Sequence, residues 1–194
     1  TMARLADSLL PVNAGIEVSV AATKSYMAQL LSLYLLTMFI TQKIDPQSVK
    51  DREITSLKQE LLELPNKIET ITNDTEKIKA AAKKYSSFKD FIFIARGINY
   101  PTSLEGALKL KEISYINATG YSAGELKHGP IAMLDETMPV LAVLNKGIVY
   151  DKVMSNCEEA KARQAKLIGV SNFIDRKHKD LFDDILLIPD VSDT

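Results

Sequence analysis

Residues 91–101, FIFIARGINYP, read as a strand, a turn and the start of a helix. Phe91, Ile92, Phe93, Ile94 and Ala95 make a short unbroken apolar run. That is the pattern of a strand buried on both faces, as in parallel sheets. Arg96-Gly97-Ile98-Asn99-Tyr100 supplies turn chemistry, and Pro101 suits the first turn of a helix, where its missing N–H has no intrahelical partner to lose. Further on, MPVLAVL (138–144), AKLIGV (165–170) and DILLI (184–188) read as three more buried strands. Helical spacing over 149–164 and a short helix over 177–182 separate them. Alternation of this kind predicts an α/β sandwich, a parallel sheet flanked by helices. Ligands in such sheets bind beyond the carboxyl ends of the strands, where residues 96–100 and the next helix start fall.

Upstream the grammar is helical. Residues 20–44 carry apolar positions at helical spacing, Tyr26, Leu30, Tyr34 and Met38 on one line and Met27, Leu31 and Leu35 on another. This helix is apolar nearly all round, which predicts a central position. Thr23 is placed to cap its start and Asp45-Pro46 to end it. Its most apolar part, LLSLYLLTMFI (30–40), is about eleven residues, too short to span a bilayer. A second helix is expected over 48–62, broken by Pro65, and a third over 68–85. Residues 8–12 (SLLPV) could form a short strand and 13–15 a turn. The expected division is 1–46 as the end of one unit and 47–194 as a second, with a helical lead-in (47–86) and an α/β core (87–194).

The 194 residues carry 24 basic and 25 acidic side chains, a net charge of −1, with 46% hydrophobic residues. No basic run or aromatic-basic interleaving points to nucleic acid. The single cysteine, Cys157, excludes an internal disulfide and fits a reducing compartment such as the cytoplasm. It falls in an expected helix and reads as a structural thiol. Two histidines, His128 and His178, and one cysteine argue against a zinc site, and no cofactor is implied. There is no G-x-x-x-x-G-K-[ST] or G-x-G-x-x-G loop. Two helix starts, Pro101-Thr102-Ser103 and Ala21-Ala22-Thr23-Lys24, could hold a phosphate or simply be capped.

Most groups able to do chemistry near neutral pH lie in SLEGALKLKEISYINATGYSAGELKHGP (103–130). As a helix over 104–116, its residues Glu105, Lys109, Glu112 and Ile116 share one face. Leu104, Leu108 and Tyr115 share a second, and Leu110 and Ile113 a third. So much apolar circumference predicts burial on two sides, with the charged stripe facing a cleft or interface. The alternative is a solvated ladder of helix pairs. Gly106 inside the helix suggests close approach of another backbone. Residues 117–130 read as a polar turn ending in His128-Gly129-Pro130. His128 is either a proton carrier beside a carboxylate or a surface histidine. Aldose–ketose isomerisation needs one base that moves a proton between neighbouring carbons and a second group to open the ring. A glutamate such as Glu112 and an imidazole could supply the pair.

LEGALKLKEISYINATGYSAGELKHGPIAML (104–134), ARGINYPTSLEGALK (95–109) and NAGIEVSVAATKSYMAQL (13–30) together resemble the isomerase half of the glutamine–fructose-6-phosphate aminotransferases. The resemblance runs in order from about residue 1 to about residue 190. It implies a sugar-isomerase (SIS) fold of two tandem α/β units, this chain holding the tail of the first and then the second. It implies that fructose 6-phosphate and glutamine-derived ammonia become glucosamine 6-phosphate. By motif, Glu112 would move the proton between C1 and C2, with Lys109 and Glu105 in support. His128 would open the sugar ring, reaching the neighbouring subunit's site in a homodimer. Val20, Ala21 and Ala22 would line the sugar pocket. The family commonly carries Val-Ala-Ser-Thr-Lys where this chain has Val20-Ala21-Ala22-Thr23-Lys24, so a hydroxyl contact is replaced by a methyl group. The serine-rich phosphate loop, the glutaminase domain and the imine-forming lysine tail of the family are expected outside these residues, and the chain alone is expected to be inactive. A related SIS deaminase or isomerase, or a non-catalytic sugar-phosphate-binding regulatory module, are the rival readings.

Overall fold

The computed structural model describes residues 2–44 and 51–190. Its compact units are Thr1–Leu64 and Pro65–Thr194. The expected helix end at Asp45-Pro46, the helix start at 48 and the 46/47 division lie outside the described residues.

In the first unit, Met2–Arg4 forms one 3₁₀ turn and Lys24–Ile44 the long helix α1. Residues 8–12 form no strand, and Asn13 and Gly15 bend the chain with φ of 47° and 70°. Within α1 only Met38 is buried. Leu33, Leu35, Phe39 and Ile40 are exposed. The expectation of a central helix therefore fails within this chain: nothing among the described residues covers the stripe. The helix is 21 residues long, within the expected 20–44, and by length and composition the whole of it, not only its eleven-residue apolar part, could cross a membrane. Core helices of globular proteins satisfy the same criterion.

Helix α2 spans Asp51–Asn73, running through Pro65 rather than stopping before it. The chain breaks instead at Asp74-Thr75, ahead of α3, Glu76–Tyr85. Asn73, Asp74 and Thr75 offer the backbone side-chain partners outside a helix, which favours a turn there. Pro65 marks the division between the compact units, not a helix end.

The second unit is built on five parallel strands, β1 Asp90–Ala95, β2 Asn117–Ser122, β3 Val140–Val143, β4 Leu167–Ser171 and β5 Asp184–Leu187, in the order β2-β1-β3-β4-β5. Helix α4, Asn99–Ser114, links β1 to β2, and α5, Tyr150–Ala162, links β3 to β4. Residues Ala123–His128, Pro130–Met133 and Arg176–Leu181 are 3₁₀ turns. Alternation along β1 divides two cores. Ile92 and Ile94 join Val140, Ala142, Leu167, Met154 and Cys157 on the α5 face. Phe91 and Phe93 join Ala81, Tyr85, Ala107 and Ala118 on the α3 and α4 face. This is the expected three-layer α/β sandwich.

From the sequence alone, residues 117–122 read as turn, yet they form strand β2. Asn117-Ala118-Thr119-Gly120-Tyr121-Ser122 has little β-branched or apolar content, and only Ala118 of the strand is fully buried. It pairs along its whole length with β1, from Asp90↔Asn117 to Ala95↔Ser122. A Cβ on Gly120 would stand 3.1 Å from the Leu104 Cα, so glycine lets α4 settle on the strand. The close neighbour of Gly106 is the Phe93 ring, whose nearest atom would lie 3.0 Å from an added Cβ, and not another backbone.

Candidate functional site

Helix α4 carries the charged ladder as expected. Lys109 Nζ lies 3.2 Å from Glu105 Oε1 and 2.7 Å from Glu112 Oε2. All three side chains are half-buried, at 22–28% exposure. The ladder is thus neither sealed in the core nor freely solvated. The hydrogen bond to Glu112 is the main influence holding Lys109 above the ordinary lysine range, against the opposing cost of burial, and Glu105 adds to it. Lys109 is therefore a fixed cation near neutral pH and not a base. It leaves a carboxylate oxygen of Glu112 free for other partners, the arrangement a proton carrier needs.

The apolar flanks of α4 are less covered than expected. Ser103 and Ala107 are buried, whereas Leu104 and Leu108 are about two-fifths exposed, Ile113 is 65% and Tyr115 93%. One side faces the sheet and the others remain open among the described residues. The helix ends earlier than 116, because Tyr115 takes a left-handed conformation at φ 59° and caps back to Lys111 O.

His128 ends the 3₁₀ turn Ala123–His128 and is exposed. Ala123 and Leu126 of the turn are fully buried and anchor it to the core. Gly129 follows at φ 151°, ψ −58°, a backbone state that side-chain-bearing residues avoid. Topology separates His128 from the ladder. Helix α4 returns to the edge where β2 begins, and Glu112 is near that end; β2 then crosses the sheet, about 20 Å at 3.3 Å per residue, before His128. The structure brings together Glu105, Lys109 and Glu112, and places His128 at the opposite edge of the same unit. Val20 and Ala22 belong to the first unit, Val20 at 89% exposure and Ala22 half-buried.

Two groupings escaped the sequence reading. At the start of α1 the cap is Glu17, not Thr23. Glu17 Oε2 accepts from the N–H groups of Thr23 (3.1 Å) and Ser25 (3.0 Å) and from Ser25 Oγ (2.7 Å). A carboxylate already occupies the N–H groups that a phosphate would need. At the other proposed phosphate position, the Ser103 hydroxyl donates to Tyr100 O at 2.7 Å, so it is spent within the turn. The second grouping is Arg96, whose Nε donates to Asn156 Oδ1 at 3.0 Å. Cys157 is fully buried, and burial pushes its thiol up to about 12, which keeps it protonated and inert.

The sequence signature of the SIS domain matches residues 84–192, more than half of the chain. A parallel α/β sandwich with a charged helix beside its edge strand is the class of structure that this defines, and the chain belongs to the SIS domain family. Along its whole length it is 48% identical to the glutamine–fructose-6-phosphate aminotransferase (isomerizing) of Synechocystis sp., of which it covers 30%. It is 46% identical to the same enzyme of Gloeobacter violaceus, covering 32%. Among solved structures it is similar to the C-terminal domain of glucosamine-fructose-6-phosphate aminotransferase from Francisella tularensis, with a TM-score of 0.81 and 37% identity over 90% of this chain and 49% of that one. The chain thus spans about a third of the length of these curated relatives.

Proposed function

We propose that this chain provides the second isomerase unit, and the end of the first, of a glutamine–fructose-6-phosphate aminotransferase that makes glucosamine 6-phosphate from fructose 6-phosphate and glutamine-derived ammonia. The observation that carries the reading is the half-buried Glu105–Lys109–Glu112 ladder, set on the helix of the LEGALKLKE motif. In this reading Glu112 takes the proton from one carbon of the open sugar and returns it to its neighbour. Lys109 holds Glu112 in place and Glu105 holds Lys109. His128 acts on the ring, moving the proton between the anomeric hydroxyl and the ring oxygen. Its place at the edge of the sheet opposite Glu112 supports His128 serving the site of a second subunit in a homodimer. Val20 and Ala22 line the sugar pocket. The isolated chain is inactive, and the complete enzyme works in the cytoplasm. Identity along all 194 residues supports the aminotransferase over the other sugar-phosphate readings.

The test is Glu112→Gln in the complete enzyme. Glucosamine 6-phosphate formation is expected to fall by about 10²-fold or more, the usual scale of a lost general base. Glutamine hydrolysis, done elsewhere, is expected to persist. Survival of glucosamine 6-phosphate formation would remove Glu112 from the role of base.

A further inference from the structure

We propose that Arg96 is a positioning residue for His128: its guanidinium, pinned by Asn156, is the support on which the turn Ala123–His128 rests. This rests on the reading of His128 as the ring-opening group.

Register brings the two together. Ala95 and Ser122 are the last paired residues of β1 and β2, so Arg96 and Ala123 leave neighbouring strands side by side. A Cβ built on Gly124 would stand 2.8 Å from Arg96 Nη2, 3.1 Å from Cζ and 3.1 Å from Nη1. These distances set Gly124 against the Nη end of the guanidinium. A side chain at 124 would force the turn and the guanidinium apart.

From the other side, Arg96 Nε donates to Asn156 Oδ1. Asn156 is 3% exposed on α5, and its Nδ2 donates to Glu159 Oε2 at 3.1 Å. The loop that carries Arg96 is itself closed by Asn99 N–H to Arg96 O and Tyr100 N–H to Gly97 O. Arg96 is thus held from its own backbone and from α5, and the turn is set against it. His128 lies four residues after Gly124 in the same turn, about 8 Å at the 3₁₀ rise. A shift at Gly124 is carried to the imidazole. Lysine has no rigid planar fork to hold against the turn.

Ring opening breaks the bond between C2 and the ring oxygen; the proton of the anomeric hydroxyl leaves and one is delivered to that oxygen. A substrate that cannot form the ring does not need this step. 5-Deoxyfructose 6-phosphate lacks the hydroxyl that closes the furanose, so its isomerisation bypasses His128 while still using Glu112.

The experiment compares kcat and KM for fructose 6-phosphate and its 5-deoxy analogue in the complete enzyme, for wild type, His128→Ala, Arg96→Ala, Arg96→Lys and Gly124→Ala. Arg96→Ala is expected to lower kcat for fructose 6-phosphate by about 10- to 100-fold, the cost of misplacing a reacting group by about an ångström, with turnover of the 5-deoxy analogue changed by less than about 2-fold. Arg96→Lys is expected to recover only part of the loss. Gly124→Ala, which lifts the turn off an intact arginine, reproduces the selective loss and decides the matter if Arg96→Ala does not fold. If His128→Ala is selective for the ring-forming substrate but the Arg96 and Gly124 variants lower both substrates alike, or neither, the positioning role is overturned. If His128→Ala itself shows no selectivity, the ring-opening reading falls instead.

Discussion

Glu17 accepts from two N–H groups and two hydroxyls at the start of α1, and these bonds, the Ser25 hydroxyl foremost, hold its carboxyl down at about 2. A carboxylate at a helix N-terminus also meets the positive end of the helix dipole. Its folded-state value is depressed, so its contribution to stability is complete above the ordinary value of 4.5 and is lost as pH falls through about 2. Glu17→Gln is expected to lower the thermal midpoint near neutral pH. The gap from wild type should close as the pH is taken from 4.5 toward 2. A gap that stayed constant over that range would show that the charge of Glu17 does not hold the helix start. Asp183 is a second anchoring carboxylate. Burial pushes it up, but Lys161 at 2.7 Å, the Leu167 N–H and Lys166 outweigh burial and hold it below the usual carboxylate range.

Helix α2 tests how much one proline costs inside an element. Pro65 removes the N–H that would bond the carbonyl four residues back, yet the helix persists from Asp51 to Asn73. Pro65→Ala is expected to restore that bond and to stabilise the helix by up to about 3 kcal/mol. Calorimetry should show a higher unfolding midpoint and circular dichroism a higher helical signal. An unchanged or lower midpoint would mean that the surroundings of Pro65 are built around its ring. Strand β2 makes the opposite point about elements. Its residues have poor strand chemistry, and its existence depends on six paired positions along β1 and on the seat that Gly120 gives to α4. Propensity is a weak guide where the neighbouring strand supplies the ladder.

At the scale of the whole chain, α1 presents a stripe of uncovered apolar side chains, Leu33 at 59%, Leu35 at 50%, Phe39 at 58% and Ile40 at 43% exposure. Exposed apolar surface of this kind promotes association. The 194-residue chain by itself is expected to self-associate with increasing concentration in sedimentation equilibrium. The pair Leu33→Gln and Phe39→Gln should reduce that association, while catalysis by the complete enzyme reports whether the same stripe is needed there. A chain that stayed monomeric at high concentration would show that the stripe is covered in solution by a rearrangement of these residues.

Periodicity and apolar runs, residue by residue, were enough for the parallel α/β class, for β1, β3, β4 and β5, for α1, α4 and α5, and for the ladder of Glu105, Lys109 and Glu112. Each of these depends on neighbours within a turn or a strand, so local order in the chain encodes it. Tertiary structure alone decided the rest. Strand β2 exists through pairing with β1, and α2 passes through Pro65 because a proline costs a helix one bond without forbidding it. Glu17 reaches the start of α1 from outside the helix. Arg96 meets Gly124 because adjacent strands end in register, 28 residues apart in sequence. His128 stands across the sheet from Glu112 because a parallel crossover must carry the chain back before β2 can begin.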